Sequence, residues 1–141
     1  MAALLKADHS HLIAFHCLAH RLELGFKDAV KKTSQKVYNR AMTLLLGLYY
    51  LYRRSPTQKR ALKNSYESLN LTVILPTRVG GTRWLPRVQR SITAFFKGYR
   101  AIRQQLESSS HTNPKAEGYA KLAVDGHVIV YLLKLQVFII P

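Results

Sequence analysis

Acidic residues are the scarcest resource of this chain: 7 Asp and Glu stand against 22 Lys and Arg in 141 residues. Two-metal phosphoryl transfer needs several carboxylates converging on the ions. Asp8, Glu23, Asp28, Glu67, Glu107, Glu117 and Asp125 are scattered along the chain, so no such constellation is expected. Cysteine is nearly absent as well. Cys17 stands alone, which excludes an intramolecular disulfide and fits a reducing, intracellular compartment. Long hydrophobic runs are missing too. The longest candidates, Ala41 to Tyr52 and Val128 to Ile140, fall short of the ~20 residues a spanning helix needs, and the second carries Lys134 and Gln136. Met1 to Ala7 is too short for a signal core before Asp8. No membrane partner is expected.

What is present is positive charge on an apolar background. Hydrophobic residues make up 48% of the chain, enough for a folded core, and the formal net charge is +15. The field is concentrated in the middle. Between Tyr50 and Gln105 there are 12 basic residues and one acid, Glu67; the rest holds 10 basic and 6 acidic. That balance points to an anionic polymer, nucleic acid before any other, against the plainer alternative of a solubilising surface.

Periodicity predicts a mainly helical chain. Leu12 to Phe15 reads as a short strand near the N-terminus. From Leu18 the period turns helical, with Leu18, Leu22, Phe26, Ala29 and Val30 on one face. Thr33 and Ser34 offer a cap for a second helix over 35–54, whose middle is apolar nearly all round and so is expected between other helices. Ser55-Pro56 restarts a third helix running to about Leu69. Pro76, Gly80 and Gly81 break any regular element in 70–84. Val88, Ile92, Phe95, Tyr99, Ile102 and Leu106 then trace one narrow stripe on a helix opened by Pro86. Ser108 to Pro114 reads as a linker, and a last helix covers 115–138. Asp125-Gly126 could break that helix, and Val128 to Val130 would permit a strand. Ending on Val137 to Ile140 and Pro141, the chain reads as truncated.

Two places carry candidate chemistry. His9, His11, His16, Cys17 and His20 lie within twelve residues, and Cys17 and His20 can face one point. Zinc usually takes two separated ligand pairs, and no second pair follows, so a structural cluster is expected and no metal or cofactor is assigned. The second place is Pro76 to Trp84. Arg78 and Arg83 on a glycine-containing loop suit phosphate oxygens. Trp84 can stack on an unpaired base, or pack as a staple near Val88. The helix start that follows favours an anion, and Arg87 and Arg90 project from that helix.

His16-Cys17-Leu18-Ala19-His20-Arg21-Leu22-Glu23-Leu24, followed downstream by Thr82-Arg83-Trp84, resembles the hAT superfamily of DNA transposases, and more closely their domesticated zinc-finger relatives in vertebrates. Tyr49 to Pro56 adds to the likeness, which covers about 9–106. The resemblance implies an RNase H-like core interrupted by a large all-helical insertion. Residues 1–21 would be the remnant of that core, with Leu12 to Phe15 as its last strand and Cys17 and His20 at its exit. Residues 22–141 would be the insertion domain, cut short at its end. The role of holding a base flipped out at a transposon end would fall on Trp84, with Arg83 beside it. The family's catalytic aspartates lie upstream of the Cys-x-x-His motif and its glutamate beyond the insertion; this sequence contains neither, nor the amino-terminal zinc finger. The expectation is therefore a catalytically inactive, nuclear, transposon-derived fragment that binds DNA without sequence preference through Arg78, Arg83, Trp84, Arg87 and Arg90. The alternatives are a protein-interaction module, pairing with itself or with a related chain, or a gene-model fragment without independent function.

Overall fold

The computed structural model describes residues 18–81 and 83–139. Seven helices make up 81% of them. These are α1 Leu18–Thr33, α2 Gln35–Arg54, α3 Pro56–Ser68, α4 Trp84–Lys97, α5 Tyr99–Ser109, α6 Pro114–Ala123 and α7 Gly126–Ile139. The protein is mainly α. The strand expected at Leu12 to Phe15, and Cys17 with the histidines before it, lie outside the described residues. α1 runs unbroken across the boundary placed between residues 21 and 22.

α2 is the axis of the bundle. Its middle is apolar nearly all round, with Thr43 left exposed, and it packs against α1, α3, α4, α6 and α7. Ala41, Leu44, Leu45, Leu48, Leu51 and Tyr52 are buried along its length. Its start is less well capped than the sequence suggests. Ser34 makes no side-chain cap bond, and Thr33 Oγ1 instead turns back to donate to the Ala29 carbonyl at 2.8 Å. At the other end Ser55 does cap α3, accepting from the Gln58 amide at 3.3 Å, with Pro56 in the first turn.

One polar network crosses the core. Tyr52 Oη donates to Gln105 Oε1 at 2.5 Å; Gln105 Nε2 donates to Gln58 Oε1 at 2.5 Å and to Ser109 Oγ at 2.8 Å. Gln105 is fully buried yet satisfied, and the bonds lock α2, α3 and α5 in register. Burial holds the Tyr52 hydroxyl far above its ordinary acidity range.

The stripe from Val88 to Leu106 packs as its spacing predicts, with Val88, Ile92, Phe95, Ile102 and Leu106 almost entirely enclosed. It is not one helix. The chain turns at Gly98 between α4 and α5, where the Tyr66 hydroxyl comes so close that a Cβ would lie 1.9 Å from it. The anticipated last helix is likewise two: α6 and α7 meet at 64° around Val124-Asp125. Val128 to Val130 are helical, which settles the strand alternative against the strand. No single described helix is long and apolar enough to cross a membrane.

Asp125 holds the second bend. Its Oδ1 accepts from the Val128 amide at 3.1 Å, capping α7, and its Oδ2 accepts from Arg40 at 2.5 Å. The Val128 amide first, with help from the Arg40 guanidinium, holds its carboxyl below the usual carboxylate range, against the opposing effect of burial. A folded-state pKa below the unfolded one means that the ionised form favours folding. The stabilisation is complete above the unfolded Asp value of about 3.9 and drains away as pH falls through the folded value. Melting curves from pH 7 to pH 2 should therefore show the native protein losing stability faster than Asp125→Asn below about pH 4. Parallel curves would mean that the carboxylate contributes nothing.

Candidate nucleic-acid interface

The irregular stretch between α3 and α4 is anchored, not loose as its glycines suggest. Tyr66 Oη donates to the Ile74 carbonyl at 2.6 Å, and Ser91 Oγ donates to the Thr77 carbonyl at 3.1 Å. Val79 is buried in the core. Beyond it the backbone takes positive φ at Gly80 and Gly81, 102° and 106°, which lets the chain turn back toward α4. Arg87 Nη1 then donates to the Gly80 carbonyl at 3.0 Å, laying its guanidinium over the turn.

The start of α4 differs most from expectation. Trp84 is the first residue of the helix and only 4% exposed. Its ring meets Phe26 of α1, with centroids 6.4 Å apart and planes tilted by 53°. An indole in that position has no face free for a base, so of the two readings of Trp84 the structure takes packing, and the stacking role is corrected. The anion position at the helix N-terminus is also filled from within. Arg83 makes no cap with its side chain; the Leu85 amide donates instead to Glu23 Oε1 of α1 at 2.7 Å. A carboxylate there satisfies an orphan amide and complements the positive end of the helix dipole.

These two contacts explain the orientation of α1. The stripe anticipated for it included Leu22 and Ala29, yet Leu22 is 65% exposed and Ala29 is exposed. The inward face is Glu23, Phe26 and Val30, rotated so that the carboxylate reaches α4. His20 lies exposed on the first turn of α1. Sequence reasoning missed Glu23 and Phe26 as partners of the Arg-Trp motif. Their three-residue spacing on one helix face was the available signal.

The arginines remain outside. Arg78, Arg83, Arg87 and Arg90 are all exposed. Arg87 and Arg90 share one face of α4, Lys97 continues it two turns on, and Arg83 precedes it by four residues at the cap position. At 1.5 Å per residue this row extends about 21 Å from Arg83 to Lys97. Ion pairs among the described residues are few: Arg40–Asp125, Arg103–Glu107 and Lys121–Glu117. Among the described residues none of the four cations of the α4 row is in an ion pair, and the Glu23 carboxylate at the start of α4 is bonded to the Leu85 amide. Elsewhere, Arg54 at the end of α2 lies over the Tyr50 ring, 4.5 Å from its centroid.

Among the described residues no three His, Cys, Asp or Glu side chains converge where a metal ion could be held. The fold and surface thus define a helical, strongly basic protein that carries exposed cations on most of its helices, four of them in a row along α4. No family model, no curated protein and no solved structure matches the chain.

Proposed function

We propose that this chain binds DNA through the sugar–phosphate backbone, without reading sequence, as a transposase-derived nuclear module to which no chemistry is assigned. The observation that carries the reading is the exposed row Arg83, Arg87, Arg90 and Lys97, in no ion pair among the described residues, with Arg78 exposed on the anchored loop before it. Arginine forks match phosphate oxygens, and neutralising phosphates releases condensed counterions. The likeness to hAT transposases supplies DNA as the polymer. Trp84 takes no part in contact with bases, since it is committed to Phe26. Arg87 keeps free N–H groups beyond the one spent on Gly80, so it can hold the turn and a phosphate together.

Binding of a labelled duplex, followed by anisotropy across a salt series, tests this. With four to five phosphates neutralised, the log–log slope should lie near −4. Arg83→Glu combined with Arg90→Glu should weaken affinity at least about tenfold near 0.1 M salt and flatten the slope by about 2. Lys32→Glu with Lys115→Glu changes net charge equally but away from the row, and should cost far less. Equal losses in the two double variants would show that only overall charge matters.

A further inference from the structure

The strongest feature left over is a groove of about 710 Å³ where the end of α1 and the start of α2 stand beside α7. Its walls are Val30, Val37, Val130, Tyr131, Leu135 and Phe138. Tyr131 ties the walls together, its hydroxyl donating to the Val30 carbonyl at 3.2 Å. Alongside, α7 leaves Val130 50%, Leu133 45%, Val137 77% and Phe138 77% exposed. An apolar stripe of that extent on a helix end marks a contact surface.

Charge selects the occupant. α2 and α7 contain no acidic residue, and Lys134 and His127 line the groove. Lys31 and Lys32 stand between the lining residues Val30 and Thr33, and Lys36 beside Val37. Asp28 is the one acid on the last two turns of α1, and Asp125 is taken by Arg40. A second copy is disfavoured, because a two-fold contact would bring the lysines of both copies into one interface in a chain of net charge +15. A flat anionic bilayer would touch the rim but leave the concave floor empty. From Gly126 to Phe138 the groove runs about 18 Å, three turns of a guest helix with apolar anchors at i, i+3 or i+4, and i+7. We propose that this groove docks an acidic amphipathic α-helix of a partner protein, its apolar stripe against Val37, Val130 and Phe138 and its carboxylates toward Lys134 and Lys36.

The full chain is titrated into a labelled 18-residue helical peptide with leucines at those spacings and glutamates elsewhere. A peptide of the same composition in scrambled order and a lysine-flanked counterpart serve as controls. The Glu-flanked helix should bind, the two controls at least about tenfold more weakly. Val130→Asp should cut affinity at least about tenfold and Lys134→Glu several-fold, with circular dichroism melts confirming that both exposed substitutions leave the fold intact. The proposal is overturned if the Glu-flanked helix fails to bind, or if the scrambled peptide binds equally well, which would reduce the effect to bulk charge. It is overturned equally if Val130→Asp instead abolishes self-association in sedimentation, making the occupant a second copy, or abolishes pelleting with phosphatidylcholine–phosphatidylserine vesicles, making it a lipid surface.

Discussion

Trp84→Ala lowers the melting temperature by about 10–15 °C and leaves duplex affinity of the still-folded protein, measured well below that temperature, within about twofold of the native value. The indole is 4% exposed, packed on Phe26 and embedded in the main core, so truncation removes a large buried surface and leaves a hole that α1 and α4 cannot close. Large aromatic truncations of this kind cost about 3–5 kcal/mol, and a protein of this length converts each kcal/mol into about 3 °C. Glu23→Ala points the same way on a smaller scale, because it uncaps α4 at the Leu85 amide; about 1 kcal/mol is expected. Thermal melts of both variants, with anisotropy on single-stranded and duplex DNA at low temperature, decide the matter. If Trp84→Ala kept its melting temperature but lost affinity for single strands selectively, the packing role would be wrong and the indole would belong to the nucleic-acid surface after all.

The reason Trp84 could be read either way from sequence is physical distance along the chain. Its partner Phe26 and the capping carboxylate of Glu23 lie about sixty positions upstream, on a helix whose periodicity turned Phe26 inward but put Leu22 and Ala29 there in place of Glu23. Local signals were read well. The Ser55-Pro56 restart, the all-apolar middle of α2 and the weak point at Asp125-Gly126 each reflect a rule that acts over a few residues, and each stands in the structure. Arg87 and Arg90 were legible for the same reason, since a three-residue spacing defines a helix face without knowledge of the rest of the fold. Burial of a single polar residue in a basic, otherwise exposed segment is different. It depends on which distant element covers it. Gln105 shows this again: within its helix it reads as a surface residue, yet Tyr52, Gln58 and Ser109 together satisfy it inside the core.

The break at Gly98 was illegible for another reason, and it sets the second large effect. The apolar stripe continues in phase through Phe95, Tyr99 and Ile102, so periodicity alone draws one helix across the glycine. What requires a glycine there is Tyr66 of α3, a fully buried residue whose hydroxyl passes close to the chain and donates to the Ile74 carbonyl at 2.6 Å. A Cβ at position 98 would sit 1.9 Å from that oxygen and 3.2 Å from the Ala94 carbonyl. Gly98→Ala, ordinarily a stabilising change in a helix by about 1 kcal/mol, should here destabilise by about 2–3 kcal/mol, because Tyr66 cannot withdraw without giving up its bond to the irregular segment it anchors. Tyr66→Phe alone should cost about 1 kcal/mol through the lost hydrogen bond. Combining the two removes the obstructing oxygen, so the double variant should be more stable than Gly98→Ala by itself, a coupling of about 1–2 kcal/mol in a denaturant cycle. Additive losses would show that the glycine serves backbone flexibility and not the close approach of α3.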